Sequence, residues 1–296
     1  MKLLYLTLFI TVFLSCKNDN NQNITVDIDE TKTTDSISDN SITNDSIQIT
    51  DKDIEDVKKT ISIELKQKKL IEKKDERQDL EALIIAKEYL VEKEDYTINF
   101  KYPLLNESFK PTNINFNNFI NDYVNITKTE SDILESKLLC DSIEAKTFRE
   151  ERFIDYKIYK VNDQLVSLLF YKENYYSGAM HPSYSFDCFN FDLERGVFMT
   201  YEDFFIQGSE EELVGIINES INEQIGKGEL YYDCWEIFLD DFIASKNNFV
   251  FNDDLVEFYF DDCVICPSYT GTYSIELPLT DLLSVLRKYD LNPLVF

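Results

Sequence analysis

From residue 96 onward the chain reads as short alternations of apolar and polar residues broken by turn formers, with helical stripes between them. Residues 96–103 alternate and end at Pro103, which predicts a strand running into a turn. Between 113 and 124, Phe116, Phe119, Ile120, Tyr123 and Val124 recur at helical spacing, with Ile114 just ahead of them. Residues 153–161 and 164–171 predict two strands joined at Asn162-Asp163. A third strand covers 184–193, turns at Glu194-Arg195-Gly196 and returns over 197–200. Ser209-Glu210-Glu211-Glu212 has the form of a capping box opening a helix whose Leu213, Ile216, Ile217 and Ile221 face a core. A second helical stretch is expected around 235–244. A hairpin follows over 249–251 and 256–260, then a strand over 273–277 and a closing helix over 279–289. Helices beside a largely antiparallel sheet make the expected fold class α+β.

The N-terminal pattern is different. Lys2 precedes an apolar stretch from Leu3 to Leu14 relieved only by Thr7 and Thr11, and Ser15-Cys16 follow. That is the form of a secretory signal peptide, and the run is too short to span a bilayer, which takes roughly 20 residues. Phe13-Leu14-Ser15-Cys16 resembles the lipobox of bacterial lipoproteins. The resemblance implies cleavage after residue 15 and a lipid on Cys16 that anchors the chain to a membrane, at about 0.8 kcal/mol per buried CH₂. Residues 16–57 then read as an acidic tether: beyond Cys16 they carry no aromatic, Gly, Pro or Cys, and isolated isoleucines cannot bury enough surface to offset the entropy of ordering. Residues 58–95 are transitional, with strand-like alternation at Ile61, Ile63 and Leu65 and a helical reading over 79–90. Residues 96–296 are the expected folded domain. The expected location is the cell envelope, on the outer membrane.

Charge narrows the partners. With 56 acidic against 29 basic residues the net charge is −27, which excludes nucleic acid, whose phosphates need cations from the protein. It suits a basic protein, whose approach such a field accelerates. Beyond Cys16 there are five cysteines, Cys140, Cys188, Cys234, Cys263 and Cys266, so at most two disulfides form and one thiol is left over. Cys263-Val264-Ile265-Cys266 follows a strand and precedes Pro267, which fits a structural bridge or buried thiols rather than a redox motif opening a helix.

One stretch carries a family resemblance. Tyr175-Tyr176-Ser177-Gly178-Ala179-Met180-His181-Pro182 is followed by Phe191-Asp192-Leu193-Glu194-Arg195-Gly196 and then by Phe198-Met199-Thr200-Tyr201-Glu202-Asp203-Phe204-Phe205. This resembles the extracellular domain shared by RsiV-type anti-sigma factors and PdaC-type peptidoglycan deacetylases, in which a Gly-containing Tyr…His loop precedes a Phe-Asp-Leu strand, a Gly turn and a helix start. Tyr102-Pro103 and Ile275-Glu276-Leu277-Pro278-Leu279 stand where that family has similar pieces, so the resemblance covers roughly 95–290. Ala179 and Met180 depart from the Gly and Ala common there. The resemblance implies an α+β fold working outside the membrane, and in the RsiV branch direct binding of lysozyme. Neither a sigma-binding segment nor a catalytic deacetylase domain is legible in the chain.

The candidate binding residues are therefore Tyr175, Tyr176, Gly178, His181 and Tyr184, aromatic side chains around a glycine loop being suited to an interface. His181 is the chain's single histidine, and sequence places neither nucleophile nor orienting group beside it, so it reads as a loop residue bonded to a backbone carbonyl. Asp240-Asp241, Asp253-Asp254 and Asp261-Asp262 lack the spacing of a calcium loop. No metal, cofactor or catalytic residue is expected. The leading reading is a non-enzymatic lipoprotein that captures a cationic protein such as lysozyme. The alternative is a peptidoglycan- or glycan-binding lipoprotein stacking sugars on exposed Tyr or Trp235, and the third is a carboxylate-based hydrolase. If Cys16 carries the lipid, Cys16→Ser abolishes incorporation of labelled palmitate and frees the protein from membranes on fractionation.

Overall fold

The computed structural model describes residues 82–140, 146–287, 292 and 294. The lipidation site, the tether and the alternation at Ile61–Leu65 lie outside the described residues. Among the described residues nine strands form two sheets. The larger has the order β1 (Ile84–Glu92), β2 (Tyr96–Leu105), β3 (Glu150–Val161), β4 (Leu165–Tyr175), β5 (Ser183–Asp192) and β6 (Val197–Phe198). Only β2 and β3 pair in parallel. Parallel neighbours need a crossover, and two helices supply it: α1 (Asn113–Val124) and α2 (Ile126–Leu139). The smaller sheet is β7 (Phe249–Phe251), β8 (Leu255–Tyr259) and β9 (Ser274–Pro278), all antiparallel. Helices α3 (Tyr201–Phe204), α4 (Glu210–Lys227) and α5 (Leu239–Ser245) complete the described α-helices. The fold is α+β with mainly antiparallel pairing. Among the described residues no helix is long and apolar enough to cross a membrane.

Strand alternation sorts the side chains into three cores. On β4, Val166, Leu168 and Phe170 face α1 and α2 together with Phe116, Ile120 and Ile133. Leu169 and Tyr171 face the opposite way and, with Tyr159, Phe186 and Cys188, meet Val250, Tyr259 and Tyr273 of the smaller sheet. That sheet turns Phe249, Phe251, Val256, Phe258, Ile275 and Leu277 toward α4 and its Leu213, Ile217 and Ile221. The order of layers is thus helix, six-stranded sheet, three-stranded sheet, helix.

Polar side chains join the two sheets. The Asn190 side-chain amide donates to the Phe249 carbonyl (2.9 Å), and the Phe251 N–H donates to Ser167 Oγ (3.2 Å). Asn248 accepts from the Cys188 N–H (2.7 Å) and donates to the carbonyls of Phe186 (2.8 Å) and Tyr259 (3.0 Å). Beside them Glu257, fully buried, accepts from Tyr159 Oη (2.8 Å) and Ser274 Oγ (2.6 Å). Tyr259 Oη lies 2.8 Å from Tyr159 Oη. Because the Tyr159 proton points to Glu257, Tyr259 is the donor of that pair.

Several expectations need correction. Residues 84–92 form strand β1, not part of a helix over 79–90: all nine pair with β2, and the exposed edge of β2 outweighs local helical propensity. Strand β2 runs past Pro103, because β3 leaves its side at Phe100. The Leu105 N–H on that side donates to Asn117 Oδ1 (2.7 Å), so the missing N–H of Pro103, two residues earlier, breaks no ladder bond. Ser209 does not form a capping box. Its hydroxyl donates to the Ile206 carbonyl (2.6 Å) and meets Tyr201 Oη (2.8 Å). The carboxylate that reaches back is Asp203, accepting from the Thr200 N–H (2.8 Å) at the start of α3. The helix expected from Trp235 begins only at Leu239, since the Trp235 and Ile237 N–H groups donate to Ile265 O (2.9 Å) and Asn218 Oδ1 (2.8 Å). Leu279–Leu282 is a single 3₁₀ turn. Residues 285–287 pair their backbone with residues 204–206, the N–H groups of Ile206 and Arg287 donating to Val285 O and Phe204 O (both 2.9 Å), so no closing helix forms over the described part of 279–289.

The family-like turn at Gly196 has a steric cause. Its φ is +68°, and a Cβ there would lie 2.6 Å from Thr112 Cβ just ahead of α1. The Asn115 side chain donates to its carbonyl (2.8 Å), docking the turn on the helix.

Burial, aided by neighbouring carboxylates, raises the phenol pKa of Tyr123, Tyr159, Tyr171, Tyr259 and Tyr273 well above the ordinary value. Phenols raised in the folded state bind protons that the unfolded chain releases near pH ~10. Stability from these groups is therefore complete below about pH 10 and is lost as pH rises further. The melting temperature is expected to fall steeply above that point.

Candidate functional site

The glycine loop predicted from sequence is the tip of the β4–β5 hairpin, with Glu173 opposite Tyr184 and Asn174 opposite Ser183. Gly178 sits at φ +82° with open space where a Cβ would stand, so backbone conformation alone calls for glycine there. Arg152 anchors the loop. Its guanidinium lies 4.1 Å from the Tyr176 ring centroid, donates to the Tyr175 carbonyl (2.9 Å) and pairs with the buried Glu150. The exposed His181 has Nδ1 3.1 Å from the Pro182 carbonyl, which fixes Nδ1 as the protonated nitrogen. Tyr176 thus packs on the helix side of the large sheet. Tyr184 stacks on Tyr171 on the other side (6.2 Å), so the loop's aromatic residues do not form one surface.

Tyr184 instead begins a run of rings. Tyr171 packs on Phe186 (5.4 Å), and Phe186 on Tyr273 (4.8 Å) and Tyr259 (5.3 Å). Phe186, Tyr259 and Tyr273 are one wall of an open groove of about 1130 Å³ between α4 and β9. Its rim carries Glu219, Glu223, Glu229, Asp254, Glu276 and Asp281 against a single lysine, Lys227. That lysine pairs with Glu223 (2.7 Å), which raises its pKa. The carboxylates come from four separate places: one face of α4, the segment after it, the β7–β8 turn and the β9 region. Among the described residues no three His, Cys, Asp or Glu side chains converge to hold a metal ion.

Beyond one end of the groove the chain is cross-linked. Cys234 and Cys266 form a disulfide, so Cys266 bridges out of its C-x-x-C, and Cys140, Cys188 and Cys263 lie outside it as thiols. Closing a loop with a sequence separation of 32 residues is worth about 3 to 4 kcal/mol on chain-entropy grounds. Trp235 adds to the brace, its indole N–H donating to the Val264 carbonyl (2.8 Å).

Compared with known proteins, residues 202–280 match the family model described as "Protein of unknown function (DUF3298)". The match takes in α4, the disulfide and the small sheet, and begins downstream of the Tyr175–His181 loop. The curated peptidoglycan-N-acetylmuramic acid deacetylase PdaC of Bacillus subtilis (strain 168) is 25% identical over 152 residues, 49% of this chain and 31% of that protein. The chain therefore spans less than a third of the length of that relative, and the resemblance to the domain found in PdaC-type proteins is borne out. A crystal structure of a DUF3298 family protein from Pseudomonas aeruginosa PAO1 shares the fold, with a TM-score of 0.51 and 12% identity over 69% of this chain and 93% of that one. A member of the family from Bacteroides fragilis NCTC 9343 aligns at a TM-score of 0.44 and 16% identity, over 69% of this chain and 92% of its own.

The exposed Tyr269 phenol donates to the Asp233 carboxylate, and that bond, with a smaller contribution from desolvation, raises its pKa to about 12. Asp233→Asn is expected to return this phenol toward about 10, as followed by NMR of isotope-labelled tyrosine across an alkaline titration.

Proposed function

We propose that this chain is a non-enzymatic, lipid-anchored envelope protein whose acidic groove captures a basic segment of a secreted protein, a lysozyme-like hydrolase being the first to test. The observation that carries the reading is the groove between α4 and β9, roomy enough for a polypeptide segment and rimmed by six carboxylates against one already paired lysine. Carboxylates of one sign around a low-dielectric wall focus the field and raise the encounter rate with a cationic partner. Ile216, Leu255 and Pro278, which line the groove and are at least partly exposed, supply the apolar contact that resists salt once the partner is seated. The name of the deacetylase relative connects that protein with peptidoglycan, and the signal-like N-terminus with Cys16 supports placing this chain in the same envelope setting. The glycine loop reaches the groove through Tyr184, which continues the run of rings that includes Phe186 and Tyr273.

Calorimetric titration of the full chain in detergent with a C-type lysozyme tests the reading. Saturable one-to-one binding is expected, weakening as salt rises from low to physiological concentration. Glu219→Gln combined with Glu229→Gln is expected to weaken it by roughly tenfold. Absence of binding even at low salt would sink the proposal.

A further inference from the structure

Next to the groove the surface changes character. Tyr231, Tyr232 and Tyr269 are 50%, 83% and 63% exposed, an unusual amount of aromatic surface to leave in water. Their setting is rigid. The Tyr231 and Tyr269 rings meet edge to face, centroids 6.5 Å apart at 80°. Tyr269 is held by its bond to Asp233, and the Cys234 N–H donates to the Tyr231 carbonyl (3.0 Å). The Cys234–Cys266 disulfide ties the two segments together three residues after Tyr231 and three before Tyr269. Both segments run directly into the groove: Glu229 and Leu230 line it on one side, Gly271 and Thr272 on the other.

We infer that Tyr231, Tyr232 and Tyr269 form an aromatic ledge that selects arginine over lysine in the basic segment received by the groove. The inference rests on the groove reading and adds to it the identity of the recognised side chain. A cation lying over a tyrosine ring is attracted by the ring's quadrupole. The guanidinium gains more than an ammonium because it is planar, is less strongly hydrated, and keeps in-plane N–H donors for a carboxylate while its face rests on the ring. Asp233 stands at the ledge for that purpose, since a carboxylate accepting one bond from Tyr269 retains acceptor capacity. The chain uses the same geometry internally, where Arg152 lies over Tyr176 and bonds the Tyr175 carbonyl. A ledge already fixed by a disulfide and backbone bonds loses little entropy on binding. Charge complementarity with the adjoining rim makes a cationic polypeptide its occupant.

The test compares octa-arginine with octa-lysine by titration into the full chain at one fixed salt concentration. Octa-arginine is expected to bind about tenfold more tightly, equivalent to about 1.4 kcal/mol. Tyr232→Leu keeps an apolar side chain at a highly exposed position, so folding is not at stake. It is expected to reduce the preference severalfold while leaving octa-lysine nearly unaffected, and adding Tyr269→Leu should remove the preference. Glu219→Gln with Glu229→Gln should weaken both peptides equally and leave the ratio intact. Equal binding of the two peptides would overturn the ledge while the groove reading stands, and failure of both to bind would overturn both. Displacement of octa-arginine by an N-acetylglucosamine oligomer, lost in Tyr232→Leu, would overturn it in favour of a sugar-stacking platform.

Discussion

The fold depends on how the edge of β7 is satisfied. A three-residue strand paired on one side only by β8 has backbone groups on its other side that need partners once buried, and an unpaired buried peptide group costs about 1 to 3 kcal/mol. Asn190 and Ser167 provide those partners from the face of the large sheet, and Asn248 completes the join by reaching both sheets. These contacts seat the small sheet, and the small sheet determines where α4 packs. The acidic groove exists because α4 and β9 are held at that separation. Asn190, Ser167 and Asn248, with the Tyr159–Glu257 bond beside them, thus fix where the groove lies.

That arrangement explains which parts of the structure were legible in the sequence. Strands β2 to β5 and β7 to β9 were readable as short runs rich in β-branched and aromatic residues between turn formers, and the turns at Asn162 and Gly196 carry their own chemistry: Asn162 Oδ1 accepts from the N–H groups of Gln164 and Leu165 (both 2.9 Å). Helix α1 was readable from its apolar stripe. Helix α2 was not, because Ile133 is its only fully buried side chain and its start depends on Asn125, whose left-handed backbone and side-chain cap on Lys128 join it to α1. Strand β1 escaped because its pairing is decided by β2 rather than by its own pattern. The segments at 235–238 and 285–287 read as helix in sequence because the distant partners of Trp235, Ile237, Val285 and Arg287 leave no local signal.

The candidate site shows the same division. The loop at 175–184 stood out as residues, but its tyrosines point to opposite faces of the sheet. The groove could not be read at all, since Glu219 on a helix and Glu276 on a strand become neighbours only through the packing of two sheets. The ledge had a faint signal in the crowding of Tyr231, Tyr232, Cys234 and Trp235, yet its meaning depends on Cys266 and Tyr269, more than thirty residues away. The family match at 202–280 takes in the ledge and most of the groove's lining, though not Phe186 or Asp281.

The Cys234–Cys266 bond ties competence to compartment. Such a bond does not persist where glutathione and thioredoxin keep thiols reduced, and without it the segments bearing Tyr231 and Tyr269 are joined only by hydrogen bonds and ring contacts. A newly made chain still in a reducing compartment would hold the groove's carboxylates but present a loosened ledge beside them. On the proposed reading, oxidation then acts as a maturation step, because the arginine-selecting ledge is held in shape only where the Cys234–Cys266 bond persists.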